Sequence, residues 1–408
     1  MKKILYISYD GLTDPLGQSQ ILPYLQGLTK HGFQFTILSF EKKTRYEKEK
    51  YIVNSIVTEA GIKWVPLSFT AKPPVLAKIY DRYRLWQKAN SLYQQENFDM
   101  VHCRSYVAAE VGLKLKTRFG IKMLFDMRGF WADEKVDNGQ WNLQKPFYKK
   151  LYEYYKQKEN RFLLESDAVI SLTDAAKNYL LRNETFQKIN IEVIPCCADL
   201  SHFDYHRIDS DEVDKLREEL KIPADAKVIT YLGSVGGWYM LEEMFEFLKL
   251  LQRKHSEYVM LFLTKDDSGF VKEKATEIGI DPSKIFVTYA DRNRLPVYLA
   301  LSNISLFFIR NSFSKMASSP TKHAELMGMG IPVICNNIGD TGNIIKETKT
   351  GFLVNDFNEK GLMEAVNTIQ EIELLDKGMI RESAKKIFDL EIGVKKYLGV
   401  YQNILLKK

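Results

Sequence analysis

Apolar residues along the chain fall into two alternating patterns. Short continuous runs occur at 4–8, 35–40, 64–67, 100–103, 123–126, 168–172 and 191–195. A second series follows at 228–233, 259–264, 285–288, 304–309, 331–335 and 352–354. Between most of them lie stretches of helical period, such as 20–30, 241–253 and 321–329. Continuous apolar runs suit strands buried on both faces, and their alternation with helices predicts βαβ units and parallel sheets. Two such series predict an α/β protein of two doubly wound, Rossmann-like domains. The polar, acidic stretch 199–220 separates them. The expected division is 1–200, 201–388 and a helical end segment, 389–408, packing back on the first domain. Ligands of such sheets lie beyond the carboxyl ends of the strands, so two facing domains are expected to enclose a cleft.

The 408 residues carry 58 Lys+Arg against 52 Asp+Glu, a formal net charge of +6, and 45% are hydrophobic. That is an ordinary globular composition, which excludes disorder and fibrous classes. The charge is uneven: residues 71–165 hold 18 basic and 11 acidic side chains. Within this stretch Lys145, Lys149, Lys150, Lys156, Lys158 and Arg161 interleave with Trp141, Phe147, Tyr148, Tyr152, Tyr154 and Tyr155. Arg82, Arg84 and Lys88 likewise flank Tyr80, Tyr83, Trp86 and Tyr93. Such a mixture suits the surface of an anionic membrane. Solvated helices with inward-packed aromatics fit equally well, and no nucleic-acid motif accompanies the charge. No apolar run approaches the ~18 residues of a membrane span, and the first run, stopped by Asp10, is too short for a signal peptide. Four cysteines without C-x-x-C spacing and six histidines without ligand spacing suggest neither disulfides nor a metal site. The expectation is a cytoplasmic protein, with peripheral contact at the inner membrane face left open.

The most informative stretch is Ser318-Ser319-Pro320-Thr321-Lys322-His323-Ala324-Glu325, followed by Gly328, Gly330 and an apolar strand. Ser319 is a good N-cap and Pro320 suits the first helical position. The amides of Thr321 and Lys322, the Thr321 hydroxyl and the Lys322 charge then converge at a helix start, a place for a diphosphate. Glu325, one turn on, can accept two hydrogen bonds from a ribose diol. Taken alone, the same residues also describe a capped helix with a surface Lys–Glu pair. Two other stretches follow predicted strands. The loop 10–20 contains Gly17, where a backbone can approach a ligand closely, and Gln18 beside it. Residues 125–134 gather Asp126, Arg128, Trp131 and Glu134, although an Asp126–Arg128 structural pair is an equal alternative. Arg104 ends another strand and suits an anion, while His102 beside it reads as a buried, satisfied histidine.

The stretch from Ser319 to Glu325 with Gly330-Ile331-Pro332-Val333-Ile334 resembles the donor-nucleotide motif of glycosyltransferase family 4. Lys30-His31-Gly32, Val193-Ile194-Pro195 with Ala198-Asp199, and Thr350-Gly351-Phe352-Leu353-Val354 resemble other family segments in the family's order. The resemblance implies the GT-B fold and a retaining, metal-independent transferase using a nucleotide diphosphate-sugar, here a UDP-sugar, with no cofactor. Its acceptor is expected to be a glycan or a lipid-linked precursor in surface polysaccharide assembly. The implied donor site comprises Gly17, Gln18, Gly233, Ser234, Lys265, Ser319, Pro320, Thr321, Lys322 and Glu325. The implied catalytic residues are Asp126, Arg128 and Glu325, with Arg104, Trp131 and Glu134 toward the acceptor. The chain departs from the family at three places, the first being Asp126 and Arg128, which stand where many members place a His. The first of two glutamates eight positions apart falls at Ala317, and the loop from Gly233 to Met240 lacks its usual Arg and Lys. Phosphate charge is therefore assigned first to Lys322, with Lys265, Arg310 and Lys315 in reserve. A GT-B epimerase acting on the nucleotide sugar and a non-catalytic nucleotide or glycan binder remain alternatives.

Overall fold

The computed structural model describes residues 1–406. Lys407 and Lys408, the end of the expected segment 389–408, lie outside the described residues. The chain forms two compact units. One comprises Met1–Cys197, Phe313–Ser318 and Leu390–Lys408, and the other Ala198–Ser312 and Ser319–Asp389.

The first unit is built on seven strands: β1 (Lys2–Ser8), β2 (Phe33–Glu41), β3 (Lys63–Ser68), β4 (Met100–Arg104), β5 (Lys122–Asp126), β6 (Ala168–Ser171) and β7 (Ile191–Val193). All pair in parallel, in the order β3-β2-β1-β4-β5-β6-β7. Alternate residues of one strand feed opposite cores. Leu5 and Ile7 pack with Val101, Cys103, Met123 and Phe125 on one face, and Ile4 and Tyr6 with Phe35, Leu124 and Ile170 on the other. Burial on both faces is the physical reason these strands read as unbroken apolar runs. The helix Leu390–Leu406 covers the second face with Val394, Tyr397, Tyr401 and Ile404. The helical stretch expected at 20–30 is two helices, Pro15–Gln20 and Leu22–Thr29, divided at Ile21.

The second unit holds six parallel strands: β8 (Lys227–Leu232), β9 (Tyr258–Leu263), β10 (Ile285–Thr288), β11 (Ile304–Phe307), β12 (Val333–Asn336) and β13 (Gly351–Val354), in the order β10-β9-β8-β11-β12-β13. Each sheet reverses its strand order beside its first strand, between β1 and β4 and between β8 and β11. Those are the switch points where an open parallel sheet leaves room for a ligand. Register places Ser8, Arg104 and Asp126 side by side at the ends of β1, β4 and β5. Among the described residues there is no disulfide, no helix long and apolar enough to cross a membrane, and no group of three or more His, Cys, Asp or Glu placed to hold a metal.

Candidate functional site

In the second unit the helix Thr321–Gly328 begins one residue later than its sequence suggests. Pro320, not Ser319, occupies the cap, with extended backbone and no side-chain capping bond. The first-turn amides therefore receive no hydroxyl from a cap residue, and a helix start lacking one suits an outside acceptor. Lys322 does not form the surface pair that the spacing also allowed. Its side chain is buried, and Nζ has no hydrogen-bond partner. It lies 3.7 Å from the centre of the Tyr239 ring and 4.3 Å from that of Tyr231. Two opposing effects act on this amine. The rings attract an ammonium by about 0.5–2 kcal/mol, whereas burying an unpaired charge costs several kcal/mol. Burial wins: it lowers the Lys322 pKa well below the usual lysine value, and Glu325 restores only part.

Gly233 closes over the amine. Its φ is +122°, and a Cβ there would stand 2.9 Å from Lys322 Nζ. A side chain at this position is excluded both by backbone strain and by contact. Ser234, the other expected contact in this loop, is exposed, and its carbonyl accepts the Tyr231 hydroxyl. The Val235 amide donates to Asp266, so the loop turns one of its N–H groups to a carboxylate of its own unit.

Glu325 is buried one turn along the helix. Its Oε1 accepts from Arg292 Nη1 at 3.0 Å. Burial raises its pKa, and Arg292 and then Lys322 counter only part of the rise. Arg292 is steadied in turn by the Phe203 ring, 5.3 Å away, and its carbonyl lies 2.8 Å from His202 Nε2. Arg292, Tyr231 and Tyr239 have no motif in the sequence. They reach the helix from separate loops and strands, and only the presence of a buried charge demanding neighbours could have pointed to them. Of the reserve cations, Lys265 is exposed and lies over Tyr289, and Arg310 is exposed and lies over Trp238. Lys315 belongs to the first unit, where it bonds Glu134 at 3.2 Å.

In the first unit Asp126 is the centre of a buried charge cluster. Arg104 Nη1, Arg128 Nη1 and His102 Nε2 stand 3.8, 3.8 and 3.6 Å from its oxygens. These are electrostatic neighbours rather than hydrogen bonds, being too long for the latter. The Tyr397 hydroxyl does bond it, at 3.1 Å. Burial opposes the carboxylate charge, but Arg128, His102 and Arg104 outweigh it and bring its pKa down to about 2. Asp126 has no exposed surface and lies between the two arginines. Arg128 adopts φ +60°, and its Nη2 reaches Cys196 Sγ at 3.3 Å. Arg104 is buried between Asp126 and Asp10. His102 is buried as expected but only half satisfied: the Tyr401 hydroxyl is 2.6 Å from Nδ1, while Nε2 has no hydrogen-bond partner. Tyr397 and Tyr401 come from the last helix, which no local motif announces.

The remaining expected residues of the first unit make contacts within that unit. Gly17 is buried, and a Cβ there would meet Leu12 Cα at 2.6 Å and the Gly11 carbonyl. It holds the loop against itself, and the neighbouring Gln18 makes only a long contact to Glu49. Trp131 packs on Tyr106, Trp141 and Tyr155, and Glu134 is engaged by Lys315.

Residues 20–202 match Glycosyltransferase Family 4, and residues 212–386 match Glycosyl transferases group 1. Among curated proteins the chain is similar to D-inositol 3-phosphate glycosyltransferase of Rhodococcus opacus, 21% identical over 266 residues, and to Spore coat protein SA of Bacillus subtilis, 21% identical over 267. These alignments span 63% and 62% of this chain, and 56% and 69% of the two relatives. Among solved structures it resembles a glycosyltransferase from Rickettsia africae, with TM-score 0.71, 18% identity and 100% and 99% of the two chains covered. It also resembles Anabaena Alr3699/HepE in complex with UDP-glucose, with TM-score 0.68, 13% identity and 98% and 100% covered. Two parallel sheets of this topology, matched along nearly the whole chain by two glycosyltransferase families, place the protein among the GT-B glycosyltransferases as a divergent member of the family-4 type.

Proposed function

We propose that the protein transfers a sugar from a UDP-sugar to a glycan or lipid-linked acceptor, with retention and without a metal cofactor, in surface polysaccharide or glycoconjugate assembly. The observation that carries the donor half is the buried, unpartnered Lys322 amine beside Gly233, one turn from Glu325. An amine held without a partner, at a helix start without a capping side chain, suits a diphosphate that supplies the missing acceptor oxygens. Glu325, fixed on one oxygen by Arg292, keeps the other for a ribose hydroxyl. UDP is the choice of base because the Anabaena structure in the same fold holds UDP-glucose. Charge and amides at the diphosphate then stabilise the leaving group as the glycosidic bond breaks. The Asp126 cluster offers Arg128 as a second cation in the first unit.

Thermal unfolding with UDP, GDP, ADP and CMP tests the donor site. UDP at ~100 times its dissociation constant is expected to stabilise the protein by ~2.7 kcal/mol, and Glu325→Ala to remove the shift. No response to any diphosphate, or one indifferent to Glu325, overturns the site. Turnover unaffected by a chelator is the corresponding expectation for metal independence.

Contact with an anionic membrane is part of the same proposal. On the helix Pro74–Glu96 the exposed side chains Leu76, Ile79, Tyr80 and Tyr83 form one stripe at helical spacing. Phe147 is exposed at the start of the helix Pro146–Glu165, beside Lys149 and Lys150. Of the other aromatics of the segment, Tyr155 is buried and Tyr93 stacks on Phe119, while Tyr154 is exposed. The stripe thus narrows the contact to a few positions. Sedimentation with phosphatidylglycerol vesicles is expected to carry the protein down at low salt, and Ile79→Glu with Tyr83→Glu to leave it in solution. Equal binding to neutral vesicles would count against the electrostatic part.

A further inference from the structure

Beyond the two charge clusters, the first unit contains a cavity of about 380 Å³ lined by Asp133, Asp137, Tyr152, Lys156, Tyr179 and Phe313. The family resemblance singled out none of these residues, and the sequence marked only Tyr152 and Lys156, as part of a basic and aromatic face. Three features make it a built site. Its aromatic wall is exposed: Tyr179 and Phe313 are 42% and 37% accessible, where packing alone would bury them. The two rings are fixed edge to face, 5.0 Å apart, with Phe130 stacked 5.2 Å behind Phe313. Opposite them stand polar groups whose positions are set by other bonds. Asp133 accepts from the Tyr152 hydroxyl at 2.7 Å and from Lys156 at 2.8 Å, and Asp137 accepts from the Ser314 amide at 2.8 Å.

A rigid aromatic face against carboxylates of fixed orientation fits a ring that is apolar on one side and edged with hydroxyl groups. We propose that this cavity binds one pyranose unit of the acceptor, its C–H face on Tyr179 and Phe313 and its hydroxyls donating to Asp133 and Asp137. The proposal rests on the transferase reading. Charge sharpens the class of ligand. The lining carries two carboxylates against the single Lys156 ammonium, and Lys156 is also bonded to Glu159 behind it. Burial opposes the Lys156 charge, but Glu159 and Asp133 outweigh it and raise its pKa, so the cation stays committed to its own carboxylates. The surplus is negative. A neutral or amino sugar is therefore admitted, and a uronic acid or a phosphorylated sugar is repelled. This narrows the acceptor class from the sequence-based expectation of a glycan or a lipid-linked precursor.

Saturation-transfer NMR on the full chain tests this, with methyl glucopyranoside, methyl N-acetylglucosaminide, methyl 2-amino-2-deoxyglucopyranoside and methyl glucuronide as probes. At least one neutral or amino glycoside is expected to receive saturation, and the glucuronide none. Tyr179→Ala and Phe313→Ala, each alone, are expected to weaken that signal about tenfold, the scale of one aromatic contact. Asp137→Asn is expected to weaken discrimination against the glucuronide. Retention of the UDP thermal shift in each variant establishes that it is folded. Absence of binding by every pyranoside, preference for the glucuronide, or signals untouched by both aromatic substitutions would overturn the proposal. A wild-type protein that binds the glycoside but no nucleotide would instead sink the transferase reading and leave the sugar site standing.

Discussion

Lys322→Met is expected to raise the thermal stability of the free protein while abolishing its response to UDP. The amine is buried without a hydrogen-bond partner, an arrangement that costs about 1–3 kcal/mol. Methionine has nearly the same length, keeps the contact with Tyr231 and Tyr239 and removes the polar group. The gain appears as a higher Tm, at ~2–4 °C per kcal/mol for a domain of this size. The sign of the pH dependence follows from the lowered pKa. The unfolded chain holds a proton on this lysine that the free folded protein resists. Lys322 therefore lowers stability increasingly as pH falls below the unfolded lysine value, until the depressed folded pKa is reached. Methionine erases that slope. A bound diphosphate reverses the preference and raises the pKa of the amine. Between the free and bound values UDP binding takes up a proton, so affinity falls as pH rises through that window. Calorimetry in two buffers of different ionisation enthalpy reads the uptake directly. A variant no more stable than the native chain, or UDP binding without linked protonation, would place Lys322 outside the anion site.

Asp126→Asn is expected to have the largest effect on folding, a loss of about 3–5 kcal/mol, because it leaves two buried guanidinium groups without their common carboxylate. Arg104 is buried and Arg128 nearly so, and neither can turn outward without disturbing β4 or the loop after β5. The carboxyl pKa of about 2 gives the pH course. Its stabilisation is fully present above the unfolded carboxyl pKa and disappears as pH falls through about 2. Lowering a pKa by nearly two units corresponds to roughly 2 kcal/mol of stability at neutral pH. Denaturant melts of the native chain and Asp126→Asn across acid pH check this: the two curves should converge toward the acid limit. Parallel curves would mean that Asp126 is not the charge the arginines depend on. Tyr397→Phe, which removes one hydrogen bond to the Asp126 carboxylate at 3.1 Å, should cost about 1.5–3 kcal/mol.

The strands were the most legible part of the chain. All thirteen runs are strands, because strands of a parallel sheet flanked by helices are mostly buried and so mostly apolar; only the outer ones, such as β3, stay half-exposed. Edges were less certain. The helix at Thr321 starts a residue late, and the stretch 20–30 breaks at Ile21, since a proline or a β-branched residue allows more than one local ending. Capping and spacing picked out the helix with Lys322 and Glu325, and the resemblance suggested a donor-nucleotide role for it. It could not tell whether they were a solvated pair or a buried charge awaiting a ligand.

Sequence by itself therefore determined the order of strands and helices along the chain, the two-sheet α/β class and the helix that carries Lys322 and Glu325, to within one residue of its start. Those features are local: apolar periodicity and chain-breaking residues act over a few neighbours. Tertiary structure alone decided which charges are buried and who answers them. Arg292 meets Glu325 from 33 positions away, and Tyr397 meets Asp126 from 271. The same packing brought Phe313 against Phe130 to wall a cavity that no motif marks. Desolvation and pairing depend on what folding brings together, and no stretch of sequence holds that information on its own.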